Sequence, residues 1–153
     1  MRKTFGLIIL ATTILFAPNF IYLAEGVFGA TGSDAMKHVW SQWFVVQQLA
    51  NDGGLSLETS LIHYPTGGSF FSLDTFNAFL GLPLRALFGP VLTFNLVLML
   101  NLILAALGGA LLARHFIDDD WACALGGFGF AFSAWVLAFP VASGVSETAV
   151  FWP

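Results

Sequence analysis

Charged side chains are scarce in this sequence. Only 9% of its 153 residues are charged, whereas 58% are hydrophobic. A soluble domain of this size carries about 25% charged residues, because polar groups must cover its surface. The scarcity excludes an ordinary soluble domain and favours a surface that faces lipid. The 17 Phe and 5 Trp agree with this, because Trp prefers the membrane interface.

Basic clusters and cysteine pairs are also missing. The net charge is −4 and no cluster of Lys or Arg occurs, which argues against nucleic acid as a partner because phosphate binding needs a basic patch. With one cysteine, Cys123, the chain has no internal disulfide. Cys123 lies within an apolar run, and we predict that it is a small core residue.

Three long runs contain no charged residue: 4–24, 91–113 and 121–139. Crossing a hydrocarbon core takes about 20 residues of helix. The sequence therefore predicts an all-α membrane protein, one domain with about three transmembrane helices. A cleaved signal peptide is the alternative for the first run, but Tyr22 and Phe28 place an aromatic residue at −3 of the candidate cleavage sites, where a small residue is needed. We therefore expect an uncleaved helix.

Two kinds of residue within the runs predict helix contacts. Asn95 and Asn101 lie in the second run, and amides in lipid usually face another helix. Small residues four apart permit close approach of two helices, although Gly and Ala are also simply common in membrane helices. They are Ala105, Ala106, Gly109 and Ala110, followed by the glycines of 126–129.

The positions of Lys and Arg predict the orientation. Arg2, Lys3 and Arg114 flank one side of the runs, and Lys37 and Arg85 lie on the long loop of the other side. Basic residues close to membrane helices favour the cytoplasmic side. We therefore expect a multi-pass protein of the cell membrane with a cytoplasmic N-terminus, and with loop 25–89 and segment 141–153 outside.

The long outer loop contains a helical pattern over 34–50, after a capping residue at Ser33. We predict an amphipathic helix lying in the membrane interface. Segment 76–88 is apolar but holds Pro83 and Arg85, and we interpret it as a second interfacial or re-entrant segment. The expected apolar face of 34–50 consists of Met36, Val39, Trp40, Trp43, Val46 and Ala50, and the polar face of Asp34, Lys37, His38, Ser41 and Gln48.

Asp34 and His38 are four residues apart and would share a helix face. An ionised Asp beside a His can act as a general base or hold a divalent cation, which makes a divalent cation a possible cofactor. The alternative is an ordinary solvated helix start.

Four stretches resemble a known family. They are residues 32–40 after the first helix, the Tyr64-Pro65-Thr66-Gly67-Gly68 turn with Asp74 after it, the entry 89–96 into the second run, and the closing residues 151–153. Together they are similar to bacterial polytopic membrane glycosyltransferases of the GT-C superfamily, which take a sugar from a polyprenyl-phosphate carrier.

The resemblance implies a set of site residues. Asp34 occupies the place of the acidic catalytic residue that begins an interfacial helix, and Glu147 is the candidate for a second one from the next outer loop. The departing lipid phosphate needs a positive partner, for which Lys37, His38 and Arg85 are candidates. Tyr64, in the matching turn, is a further candidate for substrate binding. The implied partners are the bilayer and a polyprenyl-phosphate-linked sugar.

Members of this superfamily have many more membrane helices than three. We therefore expect the chain to be the N-terminal part of a longer protein, completed by further helices of the same or a partner chain. The alternative function is a small non-enzymatic membrane subunit that binds a partner or lipid through its outer loop. A transporter is less favoured, because the three runs contain no ionisable residue that would mark a transport path.

Overall fold

The computed structural model of the chain describes residues 2–30, 32–51, 53–69 and 74–138. This part is mostly helical, as the sequence predicted. Helix α1 continues into a 3-10 helix, and two short antiparallel strands join α2 to α3, with Thr59 opposite Gly68. The elements are α1 (Arg2–Phe16), the 3-10 helix (Ala17–Tyr22), α2 (Ala35–Asn51), β1 (Glu58–Thr59), β2 (Gly68–Ser69), α3 (Thr75–Arg114), α4 (Asp120–Ala131) and α5 (Ala134–Val136).

Helix α3 is a helical hairpin rather than one straight rod. Gly89 has φ 72° and ψ 178°, a left-handed conformation that glycine adopts without steric cost, and Pro90 follows it. Asn101 Nδ2 donates a hydrogen bond to Asn77 Oδ1 at 2.8 Å. In a straight helix these residues would be about 36 Å apart. The first arm, 75–88, therefore folds back on the second arm, 90–114.

This hairpin contains both the predicted second span and the predicted re-entrant segment. The second arm covers 91–113 and is about 37 Å long, more than the roughly 30 Å of a hydrocarbon core. The first arm is helical throughout, so 76–88 is not an open loop. Gly81 makes the close packing of the arms possible, because a Cβ there would lie 2.8 Å from Thr93 Cγ2.

Within the described residues, two helices are long and apolar enough to cross a membrane: Lys3–Tyr22 and α3. The first matches the predicted run 4–24. It changes from α to 3-10 geometry at Ala17, and Pro18 lies in the first turn of the 3-10 helix. A proline ring cannot continue the α-helical hydrogen bonding, which explains the change.

The predicted uninterrupted helix 121–139 is wrong over the residues that the structure describes. Helix α4 ends at Ala131, and Phe132 leaves the helical conformation with φ −111° and ψ 25°. Ser133 then begins the short helix α5, because its Oγ accepts a hydrogen bond from the Val136 N–H. A side chain that caps a new helix interrupts the old one. Phe139 lies outside the described residues.

The core forms where the second arm of α3 packs against α4 and α1. Gly127 touches the second arm so closely that a Cβ there would collide with the Ala106 carbonyl oxygen. Gly109 faces it, with its own Cβ position 3.1 Å from Gly127 Cα. The predicted contact through small residues is confirmed. Cys123 is fully buried, as predicted, and its Sγ donates to the Ile117 carbonyl at 3.3 Å.

Polar contacts hold this bundle together at both ends. At one end, Thr4 Oγ1 and Arg114 Nη1 lie 3.2 and 3.1 Å from Asp120 Oδ1. At the other end, the buried Asn95 donates to the Leu23 and Gly26 carbonyls at 2.8 and 2.7 Å. Helix α1 therefore runs antiparallel to the second arm. The two ties are separated by 19 residues of helix, about 28 Å.

Candidate functional site

The connection between α1 and α2 begins at the Asn95 end of the bundle. Asn95 Oδ1 also accepts a hydrogen bond from the Phe28 N–H at 2.9 Å, so one amide fixes this connection at three points. Ser33 Oγ accepts a hydrogen bond from the N–H of Ala35, the first residue of α2, at 3.4 Å. A cleft of about 210 Å³ opens beside it, lined by Val27, Gly29, Gly32, Ser33, Ala35 and Met36.

Asp34 lies between Ser33 and Ala35 in the chain and is not among the residues that line this cleft; 61% of its side chain is exposed. Lys37 Nζ donates to Asp34 Oδ2 at 2.9 Å. This hydrogen bond and the lysine charge hold the pKa of the Asp34 carboxyl below its ordinary value. Asp34 is therefore ionised at neutral pH, at the cost of being a weaker base.

Asp34 and His38 are one helical turn apart, because the His38 N–H donates to the Asp34 carbonyl oxygen at 3.1 Å. The two side chains differ in exposure: His38 is 6% exposed on the buried face of α2, whereas the Asp34 side chain is 61% exposed and pairs with Lys37. The charge of His38 is one of the causes that lower the pKa of Asp34, so the predicted proximity of the two residues is retained. The described residues contain no group of three or more His, Cys, Asp or Glu side chains that could hold a metal ion.

The buried face of α2 also differs from the predicted apolar face. Ser41 and Gln42 are buried with Val39, whereas Met36 is 62% exposed and Trp40 and Trp43 are partly exposed. The reason is that α3 supplies hydrogen-bonding partners for the polar side chains of α2. Burying polar groups against a polar partner satisfies their hydrogen bonds, which is common between helices in lipid.

Those partners centre on Asp74, at the N-terminus of α3. Gln42 Nε2 donates to Asp74 Oδ2 at 2.7 Å, and Asn77 Nδ2 donates to Asp74 Oδ1 at 2.9 Å. The Asp74 N–H donates to Ser41 Oγ at 2.8 Å. Asn101 extends the set through its bond to Asn77. These five residues form the Asp74 cluster, which joins α2 to both arms of α3.

Sequence reasoning missed the Asp74 cluster. Asp74 entered only as part of a turn motif, and Ser41 was assigned to a solvent-facing side. The available signal was the position of Asn77 and Asn101 in apolar helical segments, since each needs a partner there. Their pairing could not be read from the sequence, because it depends on the chain reversal at Gly89.

The other predicted site residues are dispersed. Tyr64 is 85% exposed in the turn between β1 and β2. Arg85 lies on the first arm of α3, and its Nη2 atom is buried without a hydrogen-bond partner in the described structure. Neither residue shares a hydrogen bond or ion pair with Asp34 there. Glu147 lies outside the described residues.

Comparison with known proteins found no matching family model, no similar curated protein and no similar solved structure. The similarity to GT-C glycosyltransferases therefore depends on the short sequence motifs alone.

Proposed function

We propose that this chain is a membrane-embedded module of a glycosyltransferase that uses a polyprenyl-phosphate-linked sugar. The dimensions and the surface of the bundle support its placement in a membrane. The two polar ties of the bundle are about 28 Å apart, which matches the roughly 30 Å of a hydrocarbon core. Large apolar side chains between the ties, such as Ile14 and Leu111, are more than half exposed, as expected for a surface in lipid.

The proposed orientation follows from the residues that lie at the same end of the bundle. The tie between Thr4, Arg114 and Asp120 brings the start of α1 and the end of α3 together, so Lys3 and Arg114 flank the same end. By the positive-inside rule this end is cytoplasmic. In this arrangement α4 and α5 form a third, broken passage, and the Asn95 end with Asp34 faces outward.

The observation that carries the proposed activity is the exposed Asp34–Lys37 pair at the start of α2. An exposed, ionised carboxylate just outside the hydrocarbon boundary can accept the proton of an acceptor hydroxyl as it attacks the anomeric carbon. The lysine ammonium can neutralise the departing lipid phosphate. Arg85 is a second candidate for that phosphate, because its buried nitrogen has no partner in the described structure. His38 and Glu147 remain predictions.

Asp34→Asn in membranes supplied with a polyprenyl-phosphate-linked sugar tests this activity. The substitution keeps the size of the side chain and removes its basicity, and loss of a positioned general base costs about 10²–10⁴-fold in rate. Glu58→Gln is the matched control, since Glu58 is an exposed carboxylate in the same outer segment. Equal rates for the two variants would reject Asp34 as the base.

One observation favours the second candidate function, a subunit that binds a partner. Segment 53–69 exposes four large apolar side chains, of Leu55, Leu57, Leu61 and Tyr64. Exposed apolar patches often mark protein or membrane contacts. If Asp34→Asn leaves sugar transfer unchanged while Leu57→Ser with Leu61→Ser abolishes co-purification of a membrane partner, this second function is the correct one.

A further inference from the structure

The Asp74 cluster contains one carboxylate, that of Asp74. The hydrogen bonds around it explain why a carboxylate, rather than an amide, fits this position. Gln42 and Asn77 each donate to a different oxygen of Asp74. A carboxylate offers two acceptor oxygens, whereas an asparagine side chain at this position offers one acceptor and one donor. The substitution Asp74→Asn would therefore leave an acceptor for only one of the two amides. Gln42 and Asn77 are 1% and 2% exposed, so water cannot replace the lost bond.

The cluster also lies at the junction of three helical segments. Ser41 and Gln42 belong to α2, Asp74 and Asn77 begin the first arm of α3, and Asn101 belongs to the second arm. Apolar contacts accompany these bonds: Ala35 and Val39 form a small cluster with Phe94, and Val45 is also fully buried on α2. The polar bonds of Asp74 are the hydrogen-bonded part of the attachment of α2 to α3.

We propose that Asp74 is a positioning residue, which holds α2 on the hairpin and so fixes the place of Asp34 and Lys37 at the start of α2. The effect of this role on activity rests on the proposed function. The docking of α2 on α3 can be measured independently of it. In this role Asp74 does not contact substrate. It acts on Lys37 through α2, whose buried face carries Ser41 and Gln42.

A polarity swap tests the docking. Asp74→Asn leaves the Gln42 amide facing another amide N–H, and Gln42→Glu alone places two carboxylates face to face. The double variant restores one donor and one acceptor, because the new amide at position 74 donates to the new carboxylate at position 42. We expect each single variant to loosen α2 and the double variant to restore it, a non-additive pattern that defines a direct contact.

The readout is the maleimide labelling rate of Val45→Cys, with Cys123→Ala as background. Val45 is fully buried on α2, so labelling reports undocking. We expect labelling about tenfold faster or more in each single variant, since leaving a buried amide unpaired favours local opening. The double variant should return toward the parent rate. Unchanged labelling in Asp74→Asn, or a double variant as open as the singles, would overturn the proposal.

The control is Asp119→Ala, which removes the side-chain oxygen that accepts from the Ala122 N–H at the start of α4. It should lower the thermal midpoint while leaving Val45→Cys labelling and sugar transfer unchanged. If Asp74→Asn does not fold, recovery of folding in the double variant supports the contact, and failure of both refutes it. If the double variant restores docking but Asp34→Asn does not affect sugar transfer, the role of Asp74 in positioning α2 is supported and the proposed reaction is rejected.

Discussion

Asp34 and Lys37 form an exposed ion pair at the start of α2. The sequence predicted Asp34 in the first turn of a helix over 34–50, and the structure places it directly before α2, which begins at Ala35. Its carboxylate contacts Lys37, three residues further on, whereas His38 is buried. An exposed pair of this kind contributes little to stability, because water and salt screen it.

The Asp34–Lys37 pair makes a pH prediction. Lys37 lowers the pKa of Asp34, so the carboxylate is protonated only when the pH falls through that lowered pKa. In Lys37→Met the pKa should rise toward its ordinary value, and the protonation of Asp34 should begin at a higher pH. The ¹³C chemical shift of the Asp34 carboxyl group, followed against pH, measures this directly.

Lys3→Met is the control for that titration, because Lys3 precedes the Thr4 tie at the opposite end of the bundle. Its Asp34 titration should match that of the parent protein. An unchanged titration in Lys37→Met would show that the ion pair does not form in the membrane-embedded protein.

At the scale of helices, Gly127 and Gly129 provide a matched pair for testing the bundle. A Cβ at Gly127 would meet Ala106 and Ala110 of the second arm, whereas a Cβ at Gly129 meets nothing within 4 Å. Gly127→Ala should destabilise the protein by about 1–3 kcal/mol through overpacking. Gly129→Ala should be neutral or stabilising by up to about 1 kcal/mol, because alanine favours helix.

Thermal midpoints of both glycine variants, measured in detergent, test this prediction, and we expect Gly127→Ala to have the lower midpoint. Equal midpoints would mean that the contact between α4 and the second arm is not formed as described. The expected difference in thermal midpoint is caused by packing, because both glycines lie in the same helix and the change to alanine affects helix propensity similarly at both positions.

Some features of these helices were predictable from the sequence and others were not, for physical reasons. Runs 4–24 and 91–113 were predictable because their uncharged length is itself the signal. The break at Ser133 was not, because a small polar residue is tolerated in membrane helices and its capping role appears only in three dimensions. The fold-back of the first arm depends on one left-handed glycine, Gly89, whose conformation composition does not reveal.

The predicted faces of α2 failed for a related reason. Periodicity assigns apolar residues to the inside, which holds when the outside is water. Gln42 and Ser41 are instead inside, because Asp74 offers them hydrogen bonds, while Met36 is outside. The buried face of α2 is therefore mixed, because polar side chains with a hydrogen-bonding partner can be buried together with apolar ones. It consists of Ala35, His38, Val39, Ser41, Gln42, Phe44 and Val45.

For the whole molecule, the central claim is a membrane bundle with two chemically different ends. Lys3, Arg114 and Asp120 belong to one end, and the Asn95 tie with Asp34 belongs to the other. A protein that meets a lipid-linked donor must expose its reactive carboxylate at the membrane surface. The position of Asp34 near the end of a bundle about 28 Å long satisfies this requirement.

Cysteine accessibility tests that claim most directly. Ser60 is exposed in the loop between β1 and β2, which the proposed orientation places outside, and His115 is exposed next to Arg114 of the proposed cytoplasmic tie. Cys123, which is fully buried, is replaced by alanine in the background. A membrane-impermeant maleimide applied to intact cells should label Ser60→Cys, and should label His115→Cys only after permeabilisation. Labelling of both positions in intact cells, or of His115→Cys alone, would contradict the proposed membrane bundle with Asp34 on its outer face.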